Sequence, residues 1–147
     1  MRDRLLLAFD AGPWIHWGEQ NESFLPDLAP MMDSLAEGGL VVITSVLAMV
    51  EVLTGGFRTR DEVRSRRYLN LFEATEGVEV LDVDREIAID AARLRSRYGL
   101  RTPDAIHVAT GVAAGASAFV TTDRRLSVVR EIEVRVLRPV RPRRKGS

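Results

Sequence analysis

Residues 5–16 read LLLAFDAGPWIH, and the parsing of that stretch decides the fold. Leu5 to Phe9 is short, continuous and apolar, the pattern of a strand buried on both faces of a parallel sheet, although periodicity alone leaves a helix open. Asp10-Ala11-Gly12-Pro13 then turns the chain into a helix, with Pro13 tolerated in its first turn. The same alternation recurs outward from there. Leu40 to Ile43 reads as a second buried strand, with Thr44-Ser45 as N-cap of a helix from Val46 to Leu53 that Gly55-Gly56 ends. Val78–Leu81, Ala118–Thr121 and Val134–Leu137 read as three further strands.

Helices fill the intervals. Leu28, Met31, Met32 and Leu35 are spaced for a helix over 25–36, closed by Gly38-Gly39. Residues 59–74 form an amphipathic pattern whose polar side carries Arg64, Arg66 and Arg67, a basic run that ordinarily marks a solvated face. Asp84 caps a helix with Ile87, Ala91, Leu94 and Tyr98 on its core side, and Asp90 on its flank. Thr102-Pro103-Asp104 is a helix start, with threonine as cap, proline first and an acid in the first turn; the helix runs to Ala113 or Ala114. Strands alternating with helices predict an α/β fold, a three-layer α/β/α sandwich around a mostly parallel sheet of four or five strands. One domain is expected over 1–138, followed by a basic, disordered tail over 139–147 that holds Arg141, Arg143, Arg144 and Lys145.

Composition narrows the chemistry. The chain has 147 residues, 46% hydrophobic and 29% charged, as expected of one globular core. Its 21 basic residues balance its 21 acidic ones, so any polyanion contact must come from a local patch. With no cysteine and only two histidines, thiolate chemistry, disulfides and a three-histidine metal site within one chain are excluded. Carboxylates remain, and oxygen ligands suit hard cations such as Mg²⁺ or Mn²⁺. No stretch reads as an export signal or a spanning helix, so a cytoplasmic protein without membrane association is expected.

Open parallel sheets bind ligands at the carboxyl ends of their strands. Asp10 directly follows the first strand, and Asp123 follows the strand ending at Thr121. Asp104 opens a helix. Glu51 lies inside the apolar run Val46 to Leu53, where an unpaired acid loses hydration. Each acid also has a plain structural reading as a cap, a dipole partner or a helix-edge residue. Together, however, clustered carboxylates repel one another, and a divalent cation resolves that repulsion.

Four segments in order, LLLAFDAGPWIH (5–16), ITSVLAMVEVL (43–53), RTPDAIHVATGVAAGA (101–116) and AFVTTDRRL (118–126), carry a resemblance. Over about residues 5 to 138 the chain resembles the PIN-domain ribonucleases, in particular the small single-domain toxins of VapC type. The most specific marks are an acid after Thr-Pro at a helix start and a Thr-x-Asp strand end 19 residues on. The resemblance implies an endoribonuclease dependent on Mg²⁺ or Mn²⁺, whose acidic set maps to Asp10, Glu51, Asp104 and Asp123. It implies that Asp10, Asp104 and Asp123 hold the ion, that Glu51 joins them or orients a water, and that the cut leaves 5′-phosphate and 3′-hydroxyl ends. It also implies an RNA substrate, a small antitoxin partner and a homodimer. One departure stands after the first acid, where Ala11-Gly12 replaces the family's frequent hydroxyl residue and removes a contact near the ion.

Other readings are weighed on the same residues. A haloacid-dehalogenase phosphatase needs a second aspartate where Gly12 stands. A receiver domain needs a lysine in its body, and the only lysine is Lys145. A dinucleotide-binding module needs a glycine-rich first turn that residues 10–13 lack. The rivals that survive are a non-catalytic PIN-like module binding RNA or protein, and a free-standing RNA-processing nuclease with no antitoxin. Arg124, beside the last acid, is the candidate RNA phosphate contact. His107 reads as a packing or hydrogen-bonding residue, His16 carries less still, and Trp14 and Trp17 read as core or interface residues rather than base-stacking ones. The helices over 13–36 and 45–53 are expected to present an apolar groove beside the acids.

Overall fold

Leu7 and Phe9 point to one side of the first strand and Ala8 to the other, and all three are buried. That two-sided burial fixes the strand at the centre of a sheet with helices on both faces. The computed structural model describes residues 4–141. It contains five strands, β1 (Leu5–Phe9), β2 (Leu40–Ser45), β3 (Val78–Leu81), β4 (Ala118–Thr121) and β5 (Glu133–Val136), and six helices, α1 (Ala11–Gly18), α2 (Leu25–Ala36), α3 (Val46–Arg58), α4 (Glu62–Ala74), α5 (Arg85–Tyr98) and α6 (Thr102–Ala113). A short 3₁₀ helix, Arg124–Val128, follows β4. The strand order is β3-β2-β1-β4-β5 and every pairing is parallel, which bears out the α/β sandwich and the larger of the two strand counts. Leu7 lies opposite Val42 on one side and Ala118 on the other.

The two cores follow from strand alternation. Leu7, Phe9, Val42 and Val120 face α1 to α4, where Trp14, Leu28, Leu35, Val52 and Phe72 complete one cluster. Ala8 and Phe119 face α5 and α6, packing on Ile87, Ala91, Leu94, Val108 and Ala109. Trp14 is fully buried, with its ring centroid 5.0 Å from Phe9 and 5.4 Å from Phe72, and its indole N–H donates to Thr44 Oγ1 at 3.2 Å. Trp17 packs against the same cluster. His16 stacks on Phe24 and meets Asn21. Asp90 pairs with Arg93 on the exposed flank of α5. Among the described residues no helix is long and apolar enough to cross a membrane.

Beyond a one-residue shift of β5, expected over 134–137 and found at Glu133–Val136, four boundaries differ from the sequence reading, each for a local reason. Gly55-Gly56 does not end α3, which continues to Arg58. A Cβ on Gly56 would stand 2.5 Å from Ser65 Oγ, so this glycine serves the close approach of α3 and α4. The start expected at Thr59 is instead a turn. Thr59 C-caps α3, Arg60 adopts a left-handed φ of 53°, and Asp61 caps α4 through the Arg64 N–H at 2.9 Å. In consequence Ser65, Tyr68 and Phe72 face the core, while Val63 is exposed. β2 runs on through Thr44 and Ser45, which pair with Val80 and Leu81, and Ser45 still caps α3. On α6 the cap position falls to Arg101, Thr102 is the first helical residue, and no side chain caps the end. The expected tail begins beyond these elements, and residues 142–147 lie outside the described residues.

Candidate active site

Strand order places a crevice between the carboxyl ends of β1 and β4. The chain moves from β1 outward through β2 and β3 and then returns to β4 on the other side. Connections diverge there, which is where such sheets bind ligands. Asp10 leaves β1 into the crevice and caps α1, accepting the Gly12 N–H through Oδ1 at 3.2 Å. Asp123 follows β4 and caps the 3₁₀ helix through the Arg125 N–H at 3.0 Å. The structural readings of both acids as caps are therefore correct, and both caps open on the same crevice.

Thr121 joins them. Fully buried at the end of β4, it donates from Oγ1 to Asp10 Oδ2 at 2.5 Å and accepts the Asp123 N–H at 3.1 Å. Asp104 arrives from the other face of the sheet, because α6 lies across β1 and β2. A Cβ on Gly111 would stand 2.8 Å from Ala8 Cβ, so the glycine lets α6 sit low enough to bring its first turn to the strand ends.

Burial dominates the electrostatics of Asp10. Its carboxyl is pushed up to about 6 from the ordinary 3.8 by desolvation. Thr121, His107 and the Gly12 N–H act against that rise, and neighbouring Asp104 adds to it. Asp123 behaves in the opposite way. Hydrogen bonds from the Arg125 side chain hold it below the usual carboxylate range, with NH2 to Oδ2 at 2.7 Å. Asp104 is buried and accepts Arg101 Nε at 3.0 Å.

Glu51 reaches the group through His107. His107 is 2% exposed in its side chain and meets Glu51 Oε1 from Nε2 at 2.5 Å and Ser45 Oγ from Nδ1 at 2.9 Å. The expected hydrogen-bonding role of His107 therefore holds, with both partners now identified. Arg124, expected to contact phosphate, is exposed and forms no ion pair among the described residues; the neighbouring Arg125 turns onto Asp123 instead. The space beside Asp10 left by Ala11-Gly12 is partly filled from another direction. A Cβ on Gly12 would stand 2.7 Å from Thr122 Oγ1, so a hydroxyl is present there, carried by β4's exit loop.

The sequence reading missed Arg101, Arg125, Ser45 and Thr121. Two signals were available, namely Arg101 three residues before Asp104 and the hydroxyl of the Thr-x-Asp strand end. Only the fold brings Ser45 to His107.

The donor set suits a hard divalent cation. It consists of carboxylate oxygens, and the buried Asp10 carboxylate, with Asp104 beside it, is destabilised as an anion until positive charge arrives. Among the described residues no three acid or imidazole groups converge on one ion position as the side chains stand. Arg101 and Arg125 hold Asp104 and Asp123 instead, so an entering cation must draw those carboxylates away from guanidinium groups.

Comparison with known proteins agrees with this architecture. The PIN domain profile matches residues 9–132, and the chain belongs to the PIN domain family. Among solved structures, a toxin–antitoxin complex from Klebsiella pneumoniae superposes with a TM-score of 0.67 at 18% identity, covering 91% of this chain and 99% of that one. VapBC2 from Rickettsia felis, bound to a DNA fragment from its promoter, gives 0.72 at 13% identity, covering 90% and 98%. The Mycobacterium tuberculosis toxin VapC20, described as cleaving the sarcin-ricin loop, gives 0.62 at 17% identity, covering 77% and 86%. At these identities the likeness is one of fold. No curated protein matches the chain by sequence at a significant level.

Proposed function

We propose that this protein is a divalent-cation-dependent endoribonuclease, the toxin of a toxin–antitoxin pair, with Asp10, Asp104, Asp123 and Glu51 as its working carboxylates. The observation that carries the reading is the buried Asp10 carboxyl, raised to about 6 and facing Asp104 at the open end of β1 and β4. A packing role alone gains nothing from a desolvated acid beside a second acid, whereas a cation site requires one.

Asp10, Asp104 and Asp123 would hold Mg²⁺ or Mn²⁺. The bound ion lowers the pKa of a nearby water and stabilises charge on the phosphate oxygens. Thr121 fixes the Asp10 carboxylate by its hydroxyl and sets the backbone of Asp123. Glu51, half exposed at the rim, would join the three aspartates as a ligand through its free oxygen and so orient the attacking water. Arg124 is free to contact the RNA backbone and hold the strand in register.

The antitoxin assignment draws support from the toxin–antitoxin complexes whose fold this chain shares, and from α3. Val46, Val50 and Phe57 are exposed along that helix, beside Glu51, as an apolar strip for a partner. The same reading includes a homodimer. Incubating the purified chain with end-labelled RNA, with and without Mg²⁺ or Mn²⁺, tests the activity. Cleavage should require the cation and disappear in Asp10→Asn and Asp104→Asn with the fold retained. Cleavage at wild-type rates in either variant contradicts the site. Co-purification with the neighbour-encoded protein, and loss of cleavage in that complex, tests the pairing. A chain whose activity ignores that protein is a free-standing nuclease.

A further inference from the structure

Glu51 stands on the solvent side of α3, its side chain 40% exposed, and a glutamate in such a place ordinarily samples several rotamers. Here one oxygen is tied down. Oε1 meets His107 Nε2 at 2.5 Å, and Oε2 has no partner among the described residues. The ring that holds it is buried on α6. Its other nitrogen meets Ser45 Oγ at 2.9 Å, and Ser45 Oγ already accepts the Ala48 N–H at 3.3 Å. A carboxylate accepts, so Nε2–H donates to Glu51, while Nδ1 meets the Ser45 hydroxyl on the other side of the ring.

From this geometry we infer that His107 is a positioning residue, and that the relay Ser45–His107–Glu51 fixes the free Oε2 of Glu51 toward the cation site. The inference rests on the divalent-cation reading above. Burial of a ring whose two nitrogens bind partners 62 and 56 residues away is more than packing requires. The relay has the form of an outer-shell partner, a group that touches no metal yet sets the direction of a ligand that does.

Two amide substitutions separate the halves of the relay. His107→Gln places its amide near Nε2 and keeps the bond to Glu51. His107→Asn places its amide near Nδ1 and keeps the bond to Ser45 only. Mn²⁺ affinity, read from the paramagnetic signal of the free ion, should fall about 10- to 100-fold in His107→Asn and in Glu51→Ala. The double variant should be no weaker than Glu51→Ala alone, because both changes remove one interaction. His107→Gln should stay within about threefold of wild type, since the ligand keeps its outer-shell partner. Circular dichroism confirms that each variant is folded at the temperature used.

A folded His107→Asn that binds Mn²⁺ as the wild type does overturns the positioning role and leaves the cation reading intact. Wild-type protein that binds no Mn²⁺ overturns the cation reading and this inference with it. A second readout needs no change at His107. The slowly exchanging imidazole Nε2–H proton should be visible by NMR in the wild type and lost in Glu51→Ala. A proton signal indifferent to Glu51→Ala overturns the relay.

Discussion

Thr121 Oγ1 donates to Asp10 Oδ2 at 2.5 Å across the junction of β4 and β1, and both groups are buried. This hydroxyl opposes the desolvation that raises the Asp10 carboxyl. Thr121→Val removes the donor and the acceptor of the Asp123 N–H while keeping the shape. It should cost about 1.5–3 kcal/mol of stability, the range for a hydrogen bond to a charged group. It should also move the onset of Mn²⁺ binding to higher pH, because the ionised form of Asp10 loses a partner. Thr121→Ser should restore both. Titrations of Mn²⁺ across pH check this, and superimposable curves for Thr121→Val and wild type would count against it.

Asp10 also sets a pH dependence of folding. The folded protein keeps a proton up to about pH 6 that the unfolded chain releases near 3.8. Stability therefore falls as pH rises through that window and is level above it, a loss of about 3 kcal/mol at neutral pH. Asp10→Asn removes the loss and forfeits about one hydrogen bond of about 1 kcal/mol. Above pH 7 the variant should melt roughly 2–8 °C higher than wild type. Below about pH 4 the advantage should vanish. Mg²⁺ should raise the melting temperature of wild type and leave that of the variant unmoved. A variant that melts lower than wild type at neutral pH contradicts the burial account.

Arg125 competes for Asp123. Its guanidinium donates to both carboxylate oxygens and adds a positive charge where a cation would approach. Both effects act against ion binding. Arg125 is exposed and Asp123 partly so, so the competition is worth at most ~1 kcal/mol, and Arg125→Ala should tighten Mn²⁺ binding about two- to fivefold. Weaker binding in that variant would show that Arg125 supports the site rather than screening it.

The approach of α6 to the sheet is testable without any ligand. Gly111→Ala puts a methyl 2.8 Å from Ala8 Cβ, a contact that backbone movement must relieve. Thermal denaturation should show a loss of about 1–3 kcal/mol. An unchanged melting temperature would mean that α6 does not hold Asp104 over β1 by close packing.

How much of this was legible beforehand depends on the distance between partners. The sheet was, because short continuous apolar runs such as Leu5–Phe9, alternating with helical patterns along the chain, fit strands covered by helices on both faces. Asp10 and Asp123 were, because strand ends carry the crevice in such folds and each acid directly follows one. Asp104 was, because Thr-Pro marks a helix start whatever the packing. The partners of His107 were not. Ser45 and Glu51 lie 62 and 56 residues away, and only the crossing of α6 over β2 and α3 joins them. The choice between Arg124 and Arg125 was hidden too, because the 3₁₀ turn capped by Asp123 decides which arginine folds back. Gly55-Gly56 misled because a glycine pair signals a helix end and a close helix crossing equally well.

If these carboxylates work as proposed, RNA is hydrolysed by a cation-assisted water. The most direct test is to cut RNA with the purified chain in heavy-oxygen water and analyse the product ends by mass spectrometry. The products should carry heavy oxygen on a 5′-phosphate, form only when Mg²⁺ or Mn²⁺ is present, and be absent with Asp104→Asn. Products ending in unlabelled 2′,3′-cyclic phosphate, or cleavage that persists when the cation is chelated, would contradict it.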